Sequence, residues 1–191
     1  MARRTLGPST SLFPMPALMV AVKTGPDSAN ILTVAWAGIV GGNPPLMAIE
    51  IGQSHYSTPF IEAEGSFTVN VPSADMAAVA DYCGMVSGTD DPDKPGTCGL
   101  TMAPSIKIAS PNIAECPLSF ECQISQRAET AAGVLYIVEI VETHADDAVL
   151  DEEGKVSAAA LNPLVFTPDG RYYALGADLG EAWSIGAKFK G

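Results

Sequence analysis

Charged side chains are scarce in this sequence, and basic side chains are the scarcest. The 191 residues include ten Lys and Arg against 22 Asp and Glu, which gives a formal net charge of −12. Proteins that bind nucleic acid or anionic membrane surfaces use clustered basic side chains, so we expect neither partner. Only 17% of the residues are charged and 47% are hydrophobic. This balance predicts that self-association hides part of the surface.

Long apolar runs and metal-binding clusters are missing as well. No segment approaches the ~18 consecutive apolar residues of a membrane helix, and the prolines at positions 8, 14 and 16 interrupt any signal-peptide core. We therefore expect a cytoplasmic protein. The four cysteines, at 83, 98, 116 and 122, contain no Cys-x-x-Cys pair, and the two histidines lie far apart. Neither a metal site nor a disulfide framework is predicted.

Short strands make up most of the secondary structure that the sequence predicts. Apolar or alternating runs predict strands at 17–24, 31–38, 46–51, 66–71, 118–125, 135–143, 164–167 and 172–175. Two helices are predicted, a short one at about 59–63 and one at 74–82 closed by Gly84. Residues 1–16 read as an irregular segment, and 84–99 as a long functional loop. The length fits a single domain, residues 1–191, that is mostly β and barrel-like with a few short helices.

One polar stretch stands out between the third strand and the first helix. Residues 53–58 read Gln-Ser-His-Tyr-Ser-Thr, with Thr58 expected at the N-cap and Pro59 at the first helical position. Hydroxyl groups and the unpaired N–H groups of a helix start together suit an anion such as phosphate. The alternative is a loop whose Ser and Thr side chains only cap the helix.

Four segments in order resemble the FMN-binding split β-barrel family of flavoredoxin and the flavin reductase-like proteins. They are Asn-Ile-Leu-Thr-Val-Ala-Trp at 30–36, Ser-His-Tyr-Ser-Thr at 54–58, Phe-Thr-Val-Asn-Val-Pro-Ser at 67–73, and Ser-Gly-Thr-Asp-Asp-Pro-Asp-Lys at 87–94. Two positions differ from the family pattern. Gln53 stands where a basic residue is frequent, and Pro92 is an additional residue before Asp93 and Lys94.

The resemblance implies a Greek-key-like split β-barrel that binds FMN and forms a homodimer. It places the flavin ring beside the strand that begins at Asn30, and the phosphate among the hydroxyls of residues 54–58, with Lys94 as the nearby positive charge. The cofactor-binding residues implied are Asn30, Thr33, Val34, Ala35, Trp36, Ser54, His55, Tyr56, Ser57, Thr58, Asn70, Ser87, Gly88 and Lys94. No catalytic side chain is implied, because FMN itself carries the hydride chemistry. His55 is accordingly assigned to binding, and His144 has no identified partner.

The expected function is an oxidoreductase of the flavin reductase type. It would transfer electrons from NADH or NADPH, through bound FMN, to free flavin, a partner protein or a metal chelate. Three alternatives stay open at this level. One is a flavoredoxin-like electron carrier without its own NAD(P)H oxidation, another is a non-catalytic β-barrel that binds a ligand, and the third, weaker one is a relative acting on a pyridoxamine phosphate.

Overall fold

A long antiparallel sheet organises the molecule. The structure, a computed structural model, describes residues 3–189, so residues 1–2 and 190–191 of the predicted domain lie outside the described residues. Strands are numbered in chain order: β1 Met15–Pro16, β2 Leu18–Gly25, β3 Ser28–Val34, β4 Ala37–Gly42, β5 Pro45–Ile51, β6 Ser66–Val71, β7 Met102–Ala103, β8 Asn112–Ile113, β9 Leu118–Glu129, β10 Val134–Ala145, β11 Val165–Thr167 and β12 Arg171–Tyr173.

Within residues 3–189, four α-helices and two 3₁₀ turns lie between these strands, and a third 3₁₀ turn follows β12. The helices are α1 Thr58–Glu64, α2 Ala77–Met85, α3 Lys94–Thr97 and α4 Ala158–Leu161, and the 3₁₀ turns are Ala74–Met76, Asp147–Val149 and Ile185–Phe189. Among the helices within residues 3–189, none has the length and apolarity needed to cross a membrane.

The main sheet has seven strands in the order β3-β2-β6-β9-β10-β5-β4, and β3 and β4 are its two edges. The predicted hairpin is confirmed, because β2 pairs with β3 in antiparallel register, with Val20 opposite Leu32. A second, three-stranded sheet has the order β1-β11-β12. It brings the N-terminal segment to β11, where Met15 lies opposite Phe166.

Alternation along β2 divides its side chains between two apolar clusters. Val20 and Val22 pack with β5 and β10 residues such as Ile49 and Tyr136 in the larger cluster. Strands from opposite ends of the sheet share this cluster, so the sheet curls around it as an open barrel. Met19 and the other outward residues pack against α2 and β11 in the smaller cluster.

The structure corrects the prediction for the second helix. A 3₁₀ turn at Ala74–Met76 precedes α2, which continues through Gly84 to Met85. Gly84 is therefore inside the helix rather than its cap. A Cβ at Gly84 would lie 3.3 Å from Cβ of Thr33, so the missing side chain lets α2 approach β3 closely.

Two other boundaries differ from the predictions. The predicted strand 31–38 ends at Val34, and a new strand, β4, begins at Ala37 and continues through Gly41 to Gly42. The predicted loop 84–99 contains the short helix α3, whose cap residue Asp93 accepts a 3.2 Å hydrogen bond from the backbone N–H of Gly96. The sequence did not predict α3, because a single capped turn that contains Pro95 and Gly96 is too short to show helical periodicity.

Candidate functional site

A cavity of about 240 Å³ opens where β3, the loop before α1 and the end of α2 meet. We call it the loop cavity. Nine of the predicted site residues line it: Asn30, Thr33, Ser54, His55, Tyr56, Ser57, Ser87, Gly88 and Lys94. Ser54 and His55 are exposed at its rim, whereas Ser57 and Gly88 are buried. The fold therefore assembles three sequence-distant motifs around one opening.

Asn30 joins the strand to the polar loop. Its Nδ2 donates a 2.7 Å hydrogen bond to Oγ of Ser57, and Asn30 and Ser57 are 3% and 1% exposed. The Oδ1 atom of the same amide is buried without a hydrogen-bond partner among the described residues. An unpaired buried acceptor costs about 1–3 kcal/mol. This oxygen therefore favours a ligand that brings a donor into the cavity.

Gly88 lies close to the same amide. A Cβ at this position would lie 2.6 Å from Oδ1 of Asn30 and 2.7 Å from Cε1 of Tyr56. A methyl group would therefore clash with the unpaired oxygen and with the ring of Tyr56. The glycine of the Ser-Gly motif lets the backbone pack closely against both.

Lys94 is buried rather than solvated, with 2% of its surface exposed. Its Nζ donates to the carbonyl oxygens of Val86 at 2.6 Å and Cys83 at 3.3 Å, so its ammonium group ties α3 to the C-terminal end of α2. Burial lowers the pKa of Lys94, and the nearby Cys83 and Asp91 oppose that shift. The lysine supplies positive charge to the cavity wall while it holds the wall together.

A second cavity of about 260 Å³ adjoins the first, and we call it the strand cavity. Thr33, Gly84 and Met85 line both cavities. The strand cavity also contains the predicted residues Val34 and Ala35. The two cavities form neighbouring parts of one surface along the edge strand β3.

Three predicted site residues lie outside both cavity walls. Thr58 is the first residue of α1 rather than its N-cap, its hydroxyl donates to the carbonyl of Gly52 at 2.9 Å, and its N–H donates to the carbonyl of His55 at 3.0 Å. Trp36 is 48% exposed, and its carbonyl accepts from Glu50 N. Thr58 therefore shapes the loop, and its donors are not free for a phosphate.

Asn70 has a structural role that its motif did not reveal. It is fully buried, its Nδ2 donates to Met19 O and Thr68 Oγ1, both at 3.0 Å, and its Oδ1 accepts from Ile113 N at 2.9 Å. These bonds tie β6 to β2 and β8. The amide has both ends paired inside the fold, so we remove Asn70 from the proposed cofactor site.

Several wall residues were missed from the sequence. In the loop cavity they are Leu32, Gly84, Met85 and Val86, and in the strand cavity they are Ala17, Asp81, Phe166 and Tyr172. Tyr172 donates a 3.2 Å hydrogen bond to Oδ1 of Asp81 across the strand cavity. The sequence held one signal for Tyr172, because residues 172–176, Tyr-Tyr-Ala-Leu-Gly, weakly resemble the C-terminal segment of the same family.

His144 has a partner that the sequence did not indicate. Its Nε2 lies 2.7 Å from Oε1 of Glu121, a fully buried carboxylate on β9. That carboxylate also accepts from the N–H groups of Ile106, Lys107 and Ile108. Burial favours a raised pKa for Glu121, but these hydrogen bonds outweigh it and lower the pKa. The pair organises the 104–111 loop, outside both cavities.

Comparisons with known proteins identify the family of this chain. The flavin reductase like domain family matches residues 10–176, and the chain belongs to this family. It is similar to flavoredoxin of Desulfovibrio vulgaris (Miyazaki F), with 31% identity, a TM-score of 0.91, and coverage of 97% of this chain and 100% of that one. It is also similar to flavoredoxin from Methanosarcina acetivorans, with 29% identity, a TM-score of 0.90, and coverage of 98% and 99%.

A third solved structure, an FMN-binding domain of a flavin reductase-like enzyme from Shewanella baltica, shares the fold. It is 22% identical, has a TM-score of 0.74, and covers 87% of this chain and 88% of that one. These likenesses confirm the predicted split β-barrel and the predicted family resemblance. The fold is a flavin reductase-like FMN-binding fold.

The residues of the two cavities fit FMN in chemical terms. Asn30 Oδ1 is an unpaired acceptor for a hydroxyl or ring N–H group. Ser57 Oγ accepts from Asn30 and keeps its own hydrogen for a further acceptor such as phosphate. The exposed hydroxyl of Ser54 and the nearby ammonium of Lys94 suit the same anion. The less polar strand cavity beside them suits a flat ring.

Proposed function

We propose that this protein is an FMN-dependent oxidoreductase that takes electrons from NADH or NADPH and passes them to free flavin, a partner protein or a metal chelate. Asn30, Ser54, Ser57, Ser87 and Lys94 would hold the ribityl and phosphate part in the loop cavity. The ring would lie along Thr33, Val34 and Ala35 in the strand cavity. Bound FMN supplies the hydride and electron-transfer chemistry, and the side chains bind and orient it.

The single observation that carries this proposal is the buried, unpaired Asn30 Oδ1 in the wall of the loop cavity. Native structures seldom leave such an atom without a partner. Around it the loop cavity offers hydroxyl donors and one ammonium group, and the strand cavity adjoins it. A flavin with a polar, anionic tail matches both parts.

A pair of titrations tests the cofactor. The purified protein is titrated with FMN and with riboflavin, and ring fluorescence reports binding. We expect FMN to bind at least about tenfold more tightly, because riboflavin lacks the phosphate that the serines and Lys94 would hold. Ser54→Ala should reduce this preference, whereas Ser9→Ala, at an exposed serine far along the chain, should leave it unchanged. Equal affinity for the two flavins would contradict the proposed phosphate site.

The electron donor is tested separately. With FMN bound and oxygen excluded, NADH or NADPH should bleach the flavin absorbance in a single-turnover mixture. The similarity to two flavoredoxins across nearly the whole chain favours a second candidate, an electron carrier that does not itself oxidise NAD(P)H. In that case neither nicotinamide bleaches the flavin, while dithionite does.

We also propose that the protein is a homodimer in the cytoplasm. Five large apolar side chains are exposed along the C-terminal segment: Leu175, Leu179, Trp183, Ile185 and Phe189. Trp183 is 98% exposed. So many large apolar side chains exposed along one segment favour an association surface, and a second copy of the chain is the partner that the low charge content already predicts.

A further inference from the structure

Two cysteine side chains meet at the wall of the loop cavity. The Sγ atoms of Cys83 and Cys98 lie 3.9 Å apart, and both cysteines are free thiols. Cys83 lies in the last turns of α2 and lines the cavity. Cys98 is the cap residue that directly follows α3. The two sulfurs are in contact, and a disulfide requires them to approach to about 2 Å.

The backbone around this thiol pair is fixed from both sides. Lys94 Nζ donates to the carbonyl of Cys83, and the carbonyl of Lys94 accepts from the N–H of Cys98 at 3.0 Å. Tyr82 donates a 2.9 Å hydrogen bond from its hydroxyl to Oδ2 of Asp91 across the same junction. These bonds hold the two thiols opposite each other while the pair is reduced.

The two sulfurs have different surroundings. Cys83 is 1% exposed, whereas Cys98 is half-buried. Burial raises the pKa of Cys83 to about 12, and the neighbouring Cys98 adds to the shift while Lys94 opposes it. The thiolate is the attacking form of a thiol, so the more accessible Cys98 is the sulfur that meets an external disulfide. Cys83 is the sulfur next to the cavity.

We propose that Cys83 and Cys98 form a redox-active dithiol that exchanges an electron pair with the flavin, whose ring would lie in the adjoining strand cavity, and reduces a small-molecule disulfide. The flavin link rests on the function proposed above. The pairing of the two thiols does not depend on the proposed function. The substrate class is a low-molecular-weight disulfide that can reach Cys98.

Atoms and electrons balance in both halves of this cycle. The Cys83–Cys98 disulfide accepts two electrons from the reduced flavin and two protons, so its S–S bond breaks, two S–H bonds form and the flavin is oxidised. Cys98, as its thiolate, then attacks the external disulfide and releases one thiol from it. Cys83 then attacks the Cys98 sulfur of the mixed disulfide, displaces the second thiol, which takes up a proton, and restores the Cys83–Cys98 bond.

A reductive titration tests the flavin link. The protein is oxidised with diamide, freed of the oxidant, loaded with FMN and titrated with dithionite without oxygen. We expect the wild-type protein to take up two electron pairs per FMN, and the Cys98→Ser variant to take up one. Cys116→Ser, at a buried thiol of the same apolar cluster, should still take up two. One electron pair in the wild-type protein would overturn the proposal.

Thiol mapping tests the pair without any flavin. After diamide treatment of the flavin-free protein, alkylation and mass spectrometry should find residues 83 and 98 joined and the other two cysteines alkylated. Four alkylated cysteines, with normal FMN binding, would refute the dithiol and leave the proposed function standing. A mapped disulfide without FMN binding would refute the flavin link together with the proposed function. Cys98→Ala serves as the second variant if Cys98→Ser does not fold.

Discussion

Asn30 Nδ2 donates a 2.7 Å hydrogen bond to Oγ of Ser57, 27 positions further along the chain. The bond fixes strand β3 against the loop that precedes α1, and it leaves Oδ1 of Asn30 as a buried, unpaired acceptor. One amide thus positions the wall of the loop cavity and offers the cavity an acceptor. Three of the predictions below concern the flavin site, one concerns the buried Glu121, and one concerns the chain's association.

Replacing Asn30 by Leu should weaken FMN binding by about tenfold or more, since a hydrogen bond to the ligand and the support of Ser57 are both lost. Fluorescence titration measures the affinity. Asn112→Leu is the matched control, because Asn112 is also a buried amide whose Oδ1 has no partner among the described residues, but it lies away from both cavities. Equal losses in the two variants would assign the effect to general destabilisation.

Gly88→Ala should also weaken FMN binding, because its methyl group would be forced against Tyr56 and within 2.6 Å of Asn30 Oδ1. We expect the FMN affinity to fall by about tenfold or more, while the melting temperature changes little. Gly42→Ala serves as the control, since no atom of residues 3–189 outside its immediate neighbours lies within 4 Å of a Cβ built there. An unchanged affinity in Gly88→Ala would place the ligand elsewhere.

Lys94→Met should destabilise the flavin-free protein by about 2 kcal/mol, because the hydrogen bonds from its ammonium group to Val86 O and Cys83 O would be lost. Urea unfolding measures this free energy. Lys107→Met, at an exposed lysine, should change it by less than about 0.5 kcal/mol. If Lys94→Met changed only the FMN affinity, the lysine would be a phosphate ligand without a structural role.

Glu121 makes stability depend on pH in a defined direction. Its pKa in the folded protein lies below the ordinary value of 4.5, so below pH 4.5 the unfolded chain binds more protons than the folded one. The stability from this group is present above pH 4.5 and is lost as pH falls through the folded pKa. Glu121→Gln should lower stability near neutral pH and flatten the acid side of the curve, whereas the exposed Glu64→Gln should follow wild type. Parallel curves for Glu121→Gln and wild type would contradict this assignment.

Ending the chain after Gly176 should shift the protein from dimer toward monomer. The truncation removes the exposed Leu179, Trp183, Ile185 and Phe189, and light scattering at several concentrations measures the mass. A triple replacement of Leu179, Trp183 and Phe189 by Ser in the full-length chain provides the control for chain length. A stable dimer in both variants would place the association surface elsewhere.

The sequence determined the elements whose signal is local. Alternation and turn residues were enough for the β2–β3 hairpin, for β6 and for the two long strands β9 and β10, because each side chain's face follows from its position in a period of two. The ordered motifs identified the family and nine residues of the loop cavity. Each of these signals lies within one short stretch of sequence, so it could be recognised without knowledge of the fold.

The tertiary structure decided which polar groups are already paired. Asn70, Thr58 and Lys94 look like free ligands in the sequence, yet each donates to a carbonyl brought close by the fold. Glu121 and His144 are 23 positions apart, and Cys83 and Cys98 are 15 apart. Such contacts depend on how strands and helices pack. The residue type determines which groups a side chain can hydrogen-bond, and only the fold determines which groups lie next to it.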